Sequence, residues 1–125
     1  MNKAVQTDQA PKAAGPYSQA IVSGDLVFTS GQIPLQSDGT MVAGDIGDQT
    51  RQIMQNLLSV LAAAGCTFGD VVKTTIYVTD MSVYPVINQV YGSFLTEPFP
   101  ARETIGVKEL PLGARVEISM VAVRP

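Results

Sequence analysis

The chain contains no histidine. That absence removes Ser-His-Asp triads, Cys-His dyads and imidazole metal sites. There is one cysteine, Cys66, so no disulfide closes within the chain. Any transition-metal site would have to be built from carboxylates, which favour hard ions. Acid–base chemistry is left to Asp, Glu, Lys, Tyr, Cys or water. Cys66 follows a glycine that ends a helical pattern and has no base beside it, so it reads as structural.

Charge is scarce as well. Asp, Glu, Lys and Arg make up 15% of the 125 residues, against a usual value of about 25%. The net charge is -3 and the eight Lys and Arg are scattered. A phosphate-tracking surface needs a basic patch, so no nucleic-acid partner is expected. No apolar run has the length of about 18 residues that spans a membrane, and the first residues lack a signal-peptide pattern. The expected location is the cytoplasm, with no membrane partner.

Apolar residues fill 46% of the chain. Residues 1–125 fit one domain, and a domain of this size buries roughly two-thirds of its unfolded surface. Residues 2–6 fit a short edge strand, and 10–16 a Pro- and Gly-rich loop. Residues 18–23 and 26–30 read as strands joined at Ser23-Gly24-Asp25. Residues 35–44 are turn-rich, with Asp38-Gly39 as a second hairpin candidate.

Ile46, Ile53, Met54, Leu57, Leu58, Leu61 and Ala64 have helical spacing, with Asp45 or Asp48 to cap the start and Gly65 the end. Residues 70–79 are β-branched and extended. Val83, Val86, Ile87, Val90, Tyr91 and Phe94 mark a second helix, where Pro85 falls in the first turn. Residues 101–107 and 115–123 read as the last strands. The expected fold is α+β, a mixed sheet with two helices on one face. Leu26-Val27-Phe28, Ile76-Tyr77-Val78 and Val121-Ala122-Val123 are apolar on both parities. A solvated second face should alternate, so that face wants a cover, which self-association would supply.

Two residues stand out for chemistry. Arg102 follows the rigid Pro100-Ala101 step and opens a strand; its planar fork suits a carboxylate. An exposed arginine there is, more blandly, just solvated. Glu117 lies between Val116 and Ile118. It reads either as a polar strand residue paired with Arg115, or as a partly buried carboxylate that moves a proton. Thr104 shares a strand face with Arg102. Tyr17 can pack on the core, Asn88 can be a surface amide, and Ser30-Gly31 can be a plain turn. Equally, a glycine there lets a ligand approach backbone N–H groups.

Taken together, three segments resemble the RidA (YjgF) family: Gly15-Pro16-Tyr17-Ser18-Gln19-Ala20, Thr29-Ser30-Gly31-Gln32-Ile33-Pro34, and Pro100-Ala101-Arg102 running through Val107, Leu110-Pro111 and Val116-Glu117-Ile118. The similarity spans essentially the whole chain. It implies a chorismate-mutase-like fold, assembled as a homotrimer with a central barrel and with clefts between subunits. It implies hydrolytic deamination of 2-imino and enamine acids (2-aminoacrylate, 2-iminopropanoate, 2-iminobutanoate) to 2-keto acids and ammonia, without metal or cofactor. By the same resemblance Arg102 binds the substrate carboxylate, helped by backbone N–H groups at Gly31 and Thr104. Glu117 handles the water, and Tyr17, Ser30 and Asn88 line the cleft. The chain departs from the family at Thr104, where many members have cysteine. The other reading is a small-carboxylate-binding regulator without turnover, or a translation-inhibitor or chaperone-like relative of the same fold.

Overall fold

The computed structural model describes residues 1–125. Six strands and two long helices follow in the order β1 (Lys3–Val5), β2 (Ala20–Ser23), β3 (Leu26–Thr29), α1 (Ile46–Ala63), β4 (Val71–Val78), α2 (Tyr84–Ser93), β5 (Ala101–Gly106) and β6 (Val116–Val123). The sheet order is β1-β2-β3-β6-β4-β5. Only β4 and β5 run parallel, because α2 carries the chain back between them; every other pair is antiparallel. The last strand is thus inserted between β3 and β4. This is the mixed sheet with two helices expected from the sequence. No helix is long and apolar enough to cross a membrane.

Local chemistry sets the element ends. Asp45 and Asp48 form a capping box at the start of α1: the Asp48 N–H donates to Asp45 Oδ1 at 2.9 Å, and the Asp45 N–H reaches Asp48 Oδ2 at 3.4 Å. Gly65 stops the helix at φ 82°. Gly24, at φ 60°, makes the two-residue turn between β2 and β3. The expected second hairpin shrinks to a turn with one isolated bridge, Leu35 to Met41. Asn56, buried on α1, ties that segment down by donating to the Leu35 carbonyl at 2.8 Å.

Ile53, Met54, Leu57, Val60 and Leu61 of α1 are buried against Val27, Ile76, Ile118 and Ala122 of the sheet. Truncating Ile53, Met54, Leu57 or Leu61 to alanine costs about 2–5 kcal/mol. Leu58 and Val86, expected in the buried stripes, are instead 42% and 41% exposed. Each sits one position beside a fully buried residue, about 100° around its helix, and falls on the flank.

The helices cover one face only. On that face lie Thr74, Ile76 and Val78 of β4 and Val116, Ile118, Met120 and Ala122 of β6, all buried. The other parity presents Thr75, Tyr77, Glu117, Ser119, Val121 and Val123. Here Leu26 pairs with Val123, and Phe28 with Val121. Leu26, Phe28 and Val123 remain 40%, 44% and 39% exposed. One end of the open face is therefore apolar and the other, around Glu117, is polar.

Candidate functional site

Two clefts hold the residues singled out in the sequence, Thr104 excepted. The first arises where β3 leaves β6. Thr29 ends the pairing by accepting the Met120 N–H on its Oγ1 at 2.9 Å. The chain bulges outward and returns at Gln32, which exchanges backbone hydrogen bonds of 2.8 and 3.1 Å with Ile118. Gly31, at the bulge, lies against Glu117. A Cβ there would come within 2.7 Å of the Glu117 carboxyl carbon, so any larger residue has to displace that side chain. The Gly31 N–H has no acceptor on the chain.

The flanking loop is pinned from beneath. Gln19 is buried and bonds Thr7 through both its amide atoms and the Pro11 carbonyl through Nε2. Ser30 donates to Ser18 O at 2.6 Å, and its N–H donates to Gln19 O at 2.9 Å. Tyr17, 54% exposed, stands at the rim with Leu112. Leu112 holds φ 57° without being glycine and is 75% exposed, a conformation that costs about 1 kcal/mol. Tyr17, Ser30, Gly31 and Glu117 thus share a cleft of about 550 Å³.

Glu117 is half-buried there. It makes no ion pair, and the expected bond to Arg115 is not formed. Burial without a compensating charge pushes its carboxyl above the ordinary carboxylate range. Such a group holds a proton more readily than a surface glutamate.

The second cleft, about 260 Å³, is lined by Asn88, Tyr91, Phe99, Pro100 and Arg102. Arg102 pairs in register with Thr74, and Thr74 with Met120, so its side chain lies on the helix-covered face at the sheet edge. Its Nη2 donates to the Tyr84 hydroxyl at 2.6 Å. Its Cζ stands 5.5 Å from the Tyr84 ring centre and 5.2 Å from that of Tyr91. No carboxylate pairs with it; the chain's two ion pairs are Arg51–Asp48 and Lys73–Glu103. Arg102 is therefore a positive charge with its counterion missing. Tyr84, Tyr91 and Phe99 were not marked as site residues from the sequence. Their only sequence signal is the seven-residue spacing of Tyr84 and Tyr91 on one helical stripe.

Thr104 shares the Arg102 face as expected, but it lines neither cleft. Its Oγ1 is buried and has no hydrogen-bond partner. Val107 N–H donates inward to Val78 O. By strand alternation the N–H groups of Arg102 and Thr104 point out along the free edge.

The structure thus divides the expected site. Glu117 pairs with Tyr77, three positions along β4 from Thr74, and lies on the opposite sheet face from Arg102. Strand spacing and rise put their Cα atoms roughly 14 Å apart. One chain does not bring the two together. No group of three or more His, Cys, Asp or Glu side chains is placed to hold a metal ion. Burial pushes the Cys66 thiol up, with Asp70 adding to the effect.

A family profile described as endoribonuclease L-PSP matches residues 7–124. The chain is 48% identical over 124 residues to protein DfrA of Myxococcus xanthus, covering 97% of this chain and 95% of that one. It is 42% identical over 127 residues to the 2-iminobutanoate/2-iminopropanoate deaminase of Salmonella typhimurium, covering 99% of each. The crystal structure of Escherichia coli TdcF with bound serine superposes with a TM-score of 0.93 at 39% identity, covering 98% of this chain and 99% of that one.

Proposed function

The chain belongs to the endoribonuclease L-PSP family, which includes the RidA (YjgF) proteins, and from that premise we propose that it hydrolyses reactive 2-imino acids to 2-keto acids and ammonia. The substrates would be the enamine and imine forms 2-aminoacrylate, 2-iminopropanoate and 2-iminobutanoate. The observation that carries the reading is that each cleft presents one ionisable group with no ion-pair partner on the chain: Arg102 in one and Glu117 in the other. The deaminase name of the Salmonella relative and the amino acid held by the TdcF structure agree with a small carboxylate ligand.

In this mechanism Arg102 takes the substrate carboxylate on its fork. The free Gly31 N–H and the outward N–H at Thr104 supply further donors. Tyr17, Ser30 and Asn88 line the pocket. The iminium carbon is already electrophilic, so the protein's work is to orient water and move protons. Glu117 takes a proton from the attacking water as the C–O bond forms. The proton passes to nitrogen, and Glu117 then takes the hydroxyl proton as the carbonyl closes, the C–N bond breaks and ammonia leaves. No metal or cofactor enters this scheme.

Because Arg102 and Glu117 stand on opposite faces, a complete site requires two copies of the chain. We propose a homotrimer whose open sheet faces form a central barrel, with the sites between subunits. The apolar end of that face, Leu26, Phe28 and Val123, supplies a surface to bury. The exposed Phe99 and Leu112 at the two cleft rims would be covered in the same contacts. A cytoplasmic location belongs to the same proposal.

The family description names RNA cleavage. A net charge of -3 with scattered basic residues provides no phosphate track, so no observation favours that activity here. Binding of a small carboxylate without turnover needs Arg102 alone and leaves Glu117 without a role. The test couples the protein to a threonine or serine dehydratase and follows the transient imine against the keto acid. Faster keto acid formation, lost in Arg102→Ala, is expected; no acceleration by the wild-type protein would defeat the enzyme reading.

A further inference from the structure

Arg102 is held by α2 from two sides. Tyr84 and Tyr91 are seven residues apart, two helical turns, and so share one stripe of the helix. Tyr91 is the fixed member. Its ring is buried and its hydroxyl donates to Thr74 Oγ1 at 3.0 Å, which anchors α2 to β4. Tyr84 is half-exposed and touches Arg102 in two ways: its ring faces the guanidinium at 5.5 Å, and its hydroxyl accepts the Nη2 proton at 2.6 Å.

A guanidinium on a long side chain is mobile, and a carboxylate must freeze it to bind bidentately. A charge-assisted hydrogen bond together with ring contacts freezes it beforehand. The bond to Tyr84 uses one of the five N–H donors and leaves the others for a ligand. Tyr84 does not line the Arg102 cleft, so any effect it has passes through Arg102. We infer that Tyr84 is a positioning residue for Arg102, setting the orientation of the carboxylate-binding fork; this rests on the role given to Arg102 above.

Tyr84→Phe keeps the ring and removes the hydroxyl, while Tyr84→Leu removes both. The stable keto acid 2-oxobutanoate serves as the probe in calorimetry, with kcat followed in the dehydratase-coupled assay. Affinity should fall about fivefold in Tyr84→Phe and further in Tyr84→Leu, the scale of one typical net hydrogen bond, while kcat changes less than twofold. A structural role alone would lower the amount of folded protein and leave both constants unmoved.

A second readout needs neither ligand nor turnover. The Arg102 side-chain 15N signals, assigned by their loss in Arg102→Lys, should show hindered rotation in the wild-type protein and averaging in Tyr84→Phe. Hindered rotation retained in Tyr84→Phe overturns the inference, as does unchanged affinity in both Tyr84 variants. If 2-oxobutanoate fails to bind even the wild-type protein, the reading of the cleft falls instead, and the 15N comparison decides the role of Tyr84 by itself.

Discussion

The Arg102 and Glu117 clefts solve opposite problems with the same sheet. Arg102 must stay charged and still, and α2 surrounds it with two tyrosine rings and a phenol oxygen. Glu117 gains its usefulness from being left alone. A bulge and a glycine press backbone against it, no cation approaches, and burial raises its proton affinity. One group is prepared by contact and the other by isolation. Lying on opposite faces, the two groups keep separate environments within one chain.

That separation yields the largest expected effect. Arg102→Ala and Glu117→Gln should each slow turnover by at least about a hundredfold, the range for loss of a charge-binding or proton-transfer group. Refolded together in equal amounts, the two inactive variants should regain about a quarter of wild-type activity, since a cyclic assembly places intact Arg102 and intact Glu117 at that share of its boundaries. Recovery measured in the coupled assay checks this. No recovery, with mixed assemblies shown by mass spectrometry, would mean that both groups act from one chain.

Gly31→Ala attacks the isolation of Glu117 directly. A methyl group there collides with the carboxyl group, which must swing out into the cleft. Overpacking of this kind costs about 1–3 kcal/mol. Thermal denaturation should show that loss, and activity should fall with it, while binding of 2-oxobutanoate at Arg102 falls less.

The glycine could be marked from the chain alone because it falls directly after the strand pattern of residues 26–30, at a turn. The helix of residues 46–64 was legible for a similar reason: Asp45, Asp48 and Gly65 are local signals, and local signals survive in sequence. The opposite facing of Arg102 and Glu117 was not legible. It depends on register across β5, β4 and β6, and β6 enters the sheet from far along the chain. Tyr91 was read as core, which its burial supports. Its second duty toward Arg102 comes from a strand ten residues away and leaves no trace in helical spacing. Apolar runs on both parities did register the open face, because Leu26, Phe28 and Val123 stand exposed there.

Glu117→Gln also carries a pH signature. A carboxyl whose folded-state proton affinity is raised favours the folded state while protonated. That contribution is present below the ordinary carboxylate range and is lost as pH rises through the raised value. Glutamine mimics the protonated form at every pH. The variant should therefore melt higher than wild type at pH 8, and the difference should shrink as pH falls to about 4, the unperturbed carboxyl value. A gap that widens toward acid would show that Glu117 has an unseen cationic partner, and would erase the contrast with Arg102.

The smallest effect concerns Thr104, a polar group on the same sheet face as Arg102 that is left as isolated as Glu117. Its buried hydroxyl has no partner, and an unsatisfied buried group of this type costs about 1–3 kcal/mol. Thr104→Val keeps the branched shape, so stability should rise by about 1 kcal/mol, read as an upward shift in Tm. Affinity for 2-oxobutanoate should stay unchanged, because the hydroxyl is buried and lines neither cleft. Stability gained with affinity lost would mark a group kept unsatisfied for a ligand, the usual form of a stability–activity trade-off. Stability lost instead would mean that a second copy of the chain supplies the missing partner. The Arg102 cleft would then depend on assembly as much as the Glu117 cleft does, and contact against isolation would no longer distinguish the two.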